Sequence, residues 1–249
     1  GGFFGGPNGG EDRLRKSLEA PRQTEAAPIT AAQQEIWLAS LLKPEASCAF
    51  NEATTLHIQG RANLQYLQAS LNEVIARHDA LRATFSEDGT AMQFADKLTV
   101  DLQVRDLADL DAETREAKLE AFRREEATQT FDLVNGPLIR GFVVQLGETE
   151  SILFLTAHHL VCDGWSYNVL LEELSDLYGA KARGERPKLE PAPSFGRYAQ
   201  DRAFKKSNDE AMTFWESVYA SPPEPLALPT DRLYVATDTF TGGTERHVL

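Results

Sequence analysis

A dense group of ionisable side chains lies where an apolar segment ends, in the run HHLVCDG at residues 158–164. The preceding residues, SILFLTA, have the composition of a buried strand, and a helix with one apolar face follows the run. An imidazole can accept or donate a proton near neutral pH, and either Asp163 or Ser166 can cap the helix that follows. Consecutive side chains of extended backbone point to opposite faces, so His158 and His159 cannot do the same job. We expect one histidine to face a cavity and the other to face packing.

Four interpretations of this cluster compete. A metal site is disfavoured because the two histidines are opposed and no further ligand pair is recognisable. A nucleophilic Cys162–histidine pair is disfavoured because a lone cysteine in an apolar run is usually an inert small hydrophobe, and no G-x-S-x-G elbow supports a serine hydrolase. A purely structural role suits any single member but is weaker for His, His, Asp and Gly together at a strand terminus. The remaining interpretation is a single histidine that orients or deprotonates a nucleophile supplied by the substrate.

Charge and composition narrow the classes of protein to which this sequence can belong. The 249 residues include 38 acidic and 25 basic side chains, and a net charge of −13 is unsuited to phosphate backbones or anionic lipid. No apolar run reaches the roughly 18 residues of a membrane span, and the first residues lack the order of a signal peptide. Cys48 and Cys162 are too isolated for a disulfide framework. We expect a soluble, cytoplasmic protein that binds neither nucleic acid nor membrane.

The chain divides into a leader and a folded region. Six of the 17 glycines lie in residues 1–10, so residues 1–27 are predicted to be a flexible linker that joins this segment to something upstream in a larger protein. Folded structure is predicted to begin at Pro28. Thr30 and Gln33 have the spacing of a capping box, and Asn63 can cap the next helix.

Helices and strands interleave along the folded region, which predicts an α/β or α+β layered domain. Trp37 and Trp215 lie on the apolar faces of two predicted helices, so both are predicted to be core residues. The predicted helices cover residues 31–42, 64–78, 111–128, a segment after the HHLVCDG run, 195–206 and 209–219. The predicted strands cover residues 52–59, 82–85, 91–94, 100–105, 138–146 and 151–157.

Several segments resemble the motifs of a known superfamily. The run at 158–164 matches the HHxxxDG signature of the acyltransferases that include chloramphenicol acetyltransferase and the condensation domains of nonribosomal peptide synthetases. Residues 31–38 resemble the S-x-A-Q-x-R-x-W-x-L motif of condensation domains, and residues 77–85 resemble R-H-E-x-L-R-T-x-F. Tyr198 and Ala199 resemble the next motif, and LPTDR at 228–232 resembles the junction between two lobes. The resemblance covers about residues 28–249.

This resemblance implies a chloramphenicol acetyltransferase-like lobe over residues 28–225, with the junction and the start of a second lobe over 226–249. Gln34 and Glu35 depart from the family, which often has an arginine at the second of these positions. The later family motifs are absent, so the chain resembles an N-terminal half that we expect to be inactive alone.

The chemistry that the resemblance implies is amide formation between two carrier-bound thioesters, in a nonribosomal peptide synthetase alone or combined with a polyketide synthase. The amine of a downstream aminoacyl group attacks the thioester of an upstream acyl group, which explains why no protein nucleophile is required. His159 then faces the tunnel and either takes the proton of the amine or holds the amine by a hydrogen bond. The amide of Gly164, at a helix N-terminus, helps to stabilise the developing oxyanion.

The resemblance also implies structural roles and partners. His158 supports the site, and Asp163 pairs with an arginine of the RHDALR segment, which carries Arg77 and Arg82, with Arg77 as the preferred partner. No cofactor is bound permanently, because the phosphopantetheine arms belong to the upstream and downstream carrier domains. Adjacent synthetase domains complete the expected partners.

Three related or different functions stay open. An epimerisation domain shares HHxxxDG, and a CoA-dependent acyltransferase belongs to the same superfamily. A non-catalytic carrier-docking module is the alternative from a different class. Cyclisation domains carry aspartates in place of the histidines, so His158 and His159 disfavour that activity.

Overall fold

The structure, a computed structural model, describes residues 26–204, 209–224, 226 and 229. The strands are β1 (Ala27–Pro28), β2 (Asn51–Gln59), β3 (Ala83–Phe85), β4 (Ala91–Phe94), β5 (Gln103–Asp106), β6 (Ile139–Gly147) and β7 (Glu150–His158). The helices are α1 (Ala31–Ser40), α2 (Pro44–Cys48), α3 (Leu64–Arg77), α4 (Ala112–Thr128), α5 (Gly164–Arg183), α6 (Phe195–Phe204) and α7 (Asp209–Val218), with a 3-10 turn at Asp79–Arg82. The predicted mixture of helix and sheet is confirmed.

Local sequence signals fix where several helices begin and end. In α1 the Gln33 amide donates to Thr30 Oγ1 at 3.3 Å while Gln33 Oε1 accepts from the Thr30 amide at 3.0 Å, so the predicted capping box is present. Asn63 Oδ1 accepts from the Tyr66 amide at 3.1 Å and starts α3. Gly184, with φ of 68°, ends α5 in the left-handed conformation that glycine adopts without steric cost.

A four-stranded sheet in the order β2-β7-β6-β5 supports the HHLVCDG run. β7 pairs antiparallel with both β2 and β6, and β5 runs parallel to β6. Every β7 residue after Glu150 is buried, because β7 is central and both faces of the sheet are covered. The histidines therefore lie at the end of a central, buried strand of the sheet.

Two hydrophobic cores cover the two faces of this sheet. Leu153, Leu155 and Ala157 of β7 pack in one core with side chains of α3 and α5. On the other face the rings of Phe142 and Phe154 stack at a centroid distance of 4.7 Å and pack against α4. Odd-numbered and even-numbered β7 residues thus face different layers, as the pleat requires.

A second, smaller sheet has the order β1-β4-β3. Ala27 pairs with Met92 and is buried, so ordered structure begins at least one residue before Pro28. The other residues of the predicted 1–27 linker, except residue 26, lie outside the described residues, as does nearly all of the predicted junction over 226–249.

The two tryptophans predicted to be core residues have different surroundings. Trp37 is buried, and its indole lies against Gly89 in the turn between β3 and β4, where φ is 64° and a Cβ would collide with the ring. Trp215 on α7 is 54% exposed, so the prediction that it is a core residue is wrong for the described structure. The other large apolar side chains of this helix, Met212, Phe214 and Val218, are exposed as well. Within the described ranges, no helix has both the length and the apolarity needed to cross a bilayer.

Candidate active site

His158 lies at the last position of β7 and is fully buried. Its ring lies 6.2 Å from that of Phe50 and 6.1 Å, edge to face, from that of Phe131. The Leu160 amide donates to His158 Nδ1 at 3.3 Å. Burial, with a smaller contribution from His159, lowers the pKa of His158 to about 4, so the ring is neutral near pH 7. His158 therefore packs in the core and carries no charge.

His159 points to the opposite side, as the strand alternation predicts, and its side chain is 33% exposed. Its Nδ1 lies 3.0 Å from Oε1 of Glu52 on β2. Glu52 is the cross-strand partner of Ala157, so the side chains of Glu52 and His159 lie on the same face of the sheet. The carboxylate and the partly exposed imidazole meet there at the end of the strand.

The backbone that follows the histidines is tied to α1. The Nε2 of Gln33, a buried side chain, donates to the Leu160 carbonyl at 2.9 Å. The Val161 amide donates to the His158 carbonyl at 2.9 Å and closes the turn. The resemblance of residues 31–38 to a family motif was a signal that Gln33 matters, but no sequence pattern indicated its partner.

Asp163 and Gly164 begin helix α5. Asp163 Oδ1 accepts from the Ser166 amide at 2.8 Å and from Ser166 Oγ at 2.6 Å, and both bonds hold the pKa of Asp163 below its usual value. The capping role suggested for Asp163 is present, and the carboxylate is exposed. Gly164 is the first residue of the helix, where backbone amides lack intrahelical acceptors. A Cβ at Gly164 would meet no heavy atom within 4 Å, so the described residues do not require glycine there.

The predicted pairing of Asp163 with Arg77 is wrong in this structure. Arg77 Nε donates to Glu173 Oε2 at 2.9 Å, and its Nη2 donates to Glu173 Oε1 at 3.1 Å and to the Glu190 carbonyl at 2.6 Å. Glu173 lies ten residues beyond Asp163, or about 15 Å along α5. The C-terminus of α3 therefore meets the middle of α5, too far along the helix for Arg77 to pair with its cap.

The ion pair around Glu173 includes a histidine of the same segment. His78 Nε2 lies 3.0 Å from Glu173 Oε2. Burial raises the pKa of Glu173, but hydrogen bonds from Arg77 and His78 outweigh this effect and the net pKa is lowered. Arg82, the other predicted supporting arginine, donates to the Ala95 carbonyl beside the β3–β4 hairpin. In the described contacts neither arginine touches the HHLVCDG run.

Asp79 is a structural residue that the sequence did not reveal. Its carboxylate is buried and accepts from Ser194 Oγ at 2.6 Å, from the Phe195 amide at 2.8 Å and from the Gly196 amide at 3.2 Å. Asp79 thus caps α6 from the RHDALR segment, more than 110 residues away. No local pattern could have shown this contact.

Two further side chains near the run are not suited to act as nucleophiles or acids. Cys162 is buried, and burial raises the pKa of its thiol to about 12. Tyr167 of α5 is buried with its pKa raised by burial, and its hydroxyl donates to the Glu52 carbonyl at 2.6 Å. Among the residues that the structure describes, no three His, Cys, Asp or Glu side chains form a group that could hold a metal ion. His159, Glu52 and Asp163, in contrast, are titratable groups at this end of the sheet whose side chains reach solvent.

Comparison with known proteins decides the family. The model of the condensation domain family matches residues 23–249. This chain belongs to the condensation domain family. The assignment confirms the family that the sequence motifs indicated.

The relatives of this condensation domain are peptide synthetases. One of the linear gramicidin synthase proteins of Brevibacillus parabrevis is 34% identical over 234 residues, which are 90% of this chain and 3% of that protein. Phosphinothricin tripeptide synthetase PhsB of Streptomyces viridochromogenes is 32% identical over 229 residues, which are 88% of this chain and 19% of that protein. The chain therefore spans a small part of the curated relatives that it matches.

Solved structures confirm the fold of the condensation domain. The starter condensation domain of rhizomide synthetase RzmA matches with a TM-score of 0.72 and 25% identity, over 81% of this chain and 49% of that one. The complex of the X-domain and OxyB from teicoplanin biosynthesis contains a chain that matches with a TM-score of 0.72 and 27% identity, over 94% of this chain and 50% of that one. The chain thus spans about half the length of these solved relatives.

Proposed function

We propose that this chain contributes the histidine-bearing half of a domain that joins an upstream carrier-bound acyl group to the amine of a downstream carrier-bound aminoacyl group. The observation that carries the proposal is the opposition of His158 and His159 at the end of β7, one fully buried and the other 33% exposed beside a carboxylate. A rigid strand thereby presents a single imidazole at the surface. Family membership supports the reaction class.

The reaction needs a proton acceptor and no protein nucleophile. The amine nitrogen attacks the thioester carbonyl carbon, the C–N bond forms, and the C–S bond breaks with departure of the thiolate. The proton that the amine loses passes to the thiolate, either through Nε2 of His159 or directly while Nε2 holds the amine. The buried thiol of Cys162, with its raised pKa, is unsuited to covalent catalysis, which agrees with a nucleophile supplied by the substrate.

The start of α5 serves the acyl group in this proposal. The amide of Gly164 lies at the positive end of the helix and stabilises the oxygen that becomes negative during attack. Asp163 keeps this helix end in place by capping it through Ser166. His158 is buried beneath the loop and packs the strand end from which His159 projects.

Carrier domains on both sides supply the substrates in this proposal. Their phosphopantetheine arms bring the two thioesters, so the domain itself holds no permanent cofactor. Adjacent synthetase domains are consistent with the small fraction of each relative that the chain spans. Since the solved relatives are about twice as long, we also propose that residues 1–249 alone do not form amide.

The test is product formation by the complete condensation domain that includes these residues. It is incubated with one carrier loaded with an acyl group and a second loaded with an aminoacyl group, and the second carrier is analysed by mass. We expect the mass of the joined amide, and we expect it to be absent with residues 1–249 alone. His57→Ala serves as the control, because His57 is an exposed histidine on β2. Inversion of an aminoacyl group without any amide, or acyl transfer only from CoA, would overturn the proposal.

A further inference from the structure

The contact between Glu52 and His159 has no counterpart in the roles predicted from the motifs. The Nδ1 atom of His159 is buried, although the ring as a whole is partly exposed. Within the described residues it has no hydrogen-bond partner of good alignment, and Glu52 Oε1 lies 3.0 Å away. The state of this nitrogen is therefore decided mainly by the carboxylate.

The short distance between these two atoms favours one of the two nitrogen positions for the proton of the imidazole. A carboxylate oxygen is only an acceptor, and a neutral imidazole has one N–H donor and one acceptor nitrogen. If Nδ1 carried no proton, its lone pair would lie 3.0 Å from a negatively charged carboxylate oxygen, and the Nδ1 atom itself is shielded from water. A proton on Nδ1 converts this repulsion into attraction, and the lone pair of the neutral ring is then on Nε2.

Two backbone contacts hold Glu52 in place, which defines the position from which its carboxylate extends. Glu52 pairs with Ala157 in the sheet, and its carbonyl accepts from the Tyr167 hydroxyl at 2.6 Å. Asp163, a second carboxylate that interacts electrostatically with His159, is already engaged with Ser166. Glu52 is therefore the carboxylate available to Nδ1.

We propose that Glu52 is a positioning residue that keeps the proton of His159 on Nδ1 and thereby presents the Nε2 lone pair to the substrate amine. The second part rests on the proposed amide-forming function, whereas the first concerns the chain alone. The same tautomer serves both possible roles of His159, because a base and a hydrogen-bond acceptor both need a free lone pair on Nε2. When Nε2 takes the proton of the amine, the imidazolium lies beside the Glu52 carboxylate until the proton passes to the leaving thiolate.

The neighbouring histidine provides an internal reference. The Leu160 amide donates to His158 Nδ1, so the proton of the neutral His158 ring lies on Nε2. The two adjacent histidines are therefore expected in opposite tautomers. Each tautomer is set by a different neighbour.

The first test is a direct measurement of these tautomers in the 249-residue chain. Long-range proton–nitrogen NMR spectra of ¹⁵N-histidine-labelled protein near pH 7.5 distinguish a protonated Nδ1 from a protonated Nε2. The His159 signals are assigned by their loss in His159→Ala. We expect the Nδ1–H form of His159 in the wild type and a shift toward the Nε2–H form in Glu52→Ala. An Nε2–H form in the wild type, or the same spectrum in both proteins, would overturn the proposal.

Glu150→Ala is the matched control for charge and strand environment. Glu150 is exposed at the opposite end of β7, about 26 Å from His158 along the strand. This substitution removes the same charge from the same sheet. The His159 tautomer should be unchanged in Glu150→Ala.

The second test uses the amide assay with the complete domain. Glu52→Ala should reduce kcat about 10- to 100-fold, the range found for the loss of partners that orient metal-binding histidines, with KM for the acceptor carrier nearly unchanged. Glu150→Ala should retain the wild-type rate. A rate of Glu52→Ala within twofold of an active wild type would refute the positioning role. Absence of amide from the wild type would instead refute the proposed function and leave the tautomer result intact.

Discussion

His158 and His159 are adjacent in sequence, yet their surroundings have almost nothing in common. His158 is fully buried against Phe50 and Phe131, while the His159 side chain is 33% exposed beside Glu52. Burial lowers the pKa of the first to about 4, and a carboxylate contacts the second. The comparison teaches that one step of strand alternation is enough to separate a residue that stabilises the fold from one that is available for chemistry.

The largest effect on stability is expected from His158→Ala. Removing a fully buried ring leaves a cavity between Phe50 and Phe131, and comparable core truncations cost about 3 to 4 kcal/mol. Urea unfolding of the 249-residue chain measures the loss. His57→Ala, at an exposed position of β2, should change stability by less than about 0.5 kcal/mol. A loss below about 1 kcal/mol for His158→Ala would show that the two histidines are not as different as the structure indicates.

The pH dependence of stability sharpens the same contrast. With a folded pKa of about 4 against an ordinary value of 6.5, the unfolded state binds a proton at His158 before the folded state does as pH falls. The contribution of His158 to the free energy of unfolding is therefore fully present above pH 6.5 and declines toward pH 4. The decline is about 1.4 kcal/mol for each pH unit, up to about 3 kcal/mol in total. His158→Leu should lack this part of the decline in urea titrations at pH 7, 5.5 and 4.5. Identical pH profiles for the two proteins would contradict the burial of a neutral His158.

A second contrast of buried and exposed groups involves two aspartates that cap helices. Asp79 is buried and accepts three hydrogen bonds at the start of α6, so Asp79→Ala loses the cap and leaves buried donors unpaired. We expect a loss of about 2 kcal/mol in urea unfolding, at the upper end for a helix cap. A loss no larger than that of an exposed cap would contradict the long-range role of Asp79.

Asp163→Ala is expected to have the smallest effect, about 1 kcal/mol, because Asp163 is an exposed N-cap. The pKa of Asp163 is lowered by its bonds to Ser166, so its contribution is present above the ordinary pKa and is lost as pH falls through the lowered value. Asp163→Asn should retain most of the stability at pH 7, since asparagine also caps helices. A loss of 3 kcal/mol or more in urea unfolding of Asp163→Ala would contradict this role and support the buried ion pair that the motif resemblance suggested.

Contacts within a few residues were predictable from the sequence, and contacts between distant segments were not. The Thr30–Gln33 capping box and the Asn63 cap follow from spacing alone, and the alternation of β7 predicted opposite faces for the two histidines. A motif resemblance shows which residues matter but not the angle at which α3 crosses α5. Without that angle, Arg77 was wrongly assigned to Asp163. That angle places Arg77 on Glu173.

The position of Glu52 shows the same limit at the site itself. Residues 52–59 were predicted as a strand, but nothing in the sequence gives the register that pairs Glu52 with Ala157. Without that register, no pattern places a carboxylate on Nδ1 of His159. The prediction that Trp215 is buried was wrong for a related reason, because an apolar helix face indicates burial without identifying what covers it.

The most direct test of the division between the two histidines is the rate of amide formation by His159→Ala and His158→Leu in the complete domain, each normalised to its folded fraction. We predict that His159→Ala is at least about 100-fold slower than the wild type, the usual contribution of a positioned proton acceptor, while folded His158→Leu stays within a few-fold of it. A folded His159→Ala protein with a near wild-type rate would contradict the account. A folded His158→Leu protein that is about 100-fold slower than the wild type would contradict it as well.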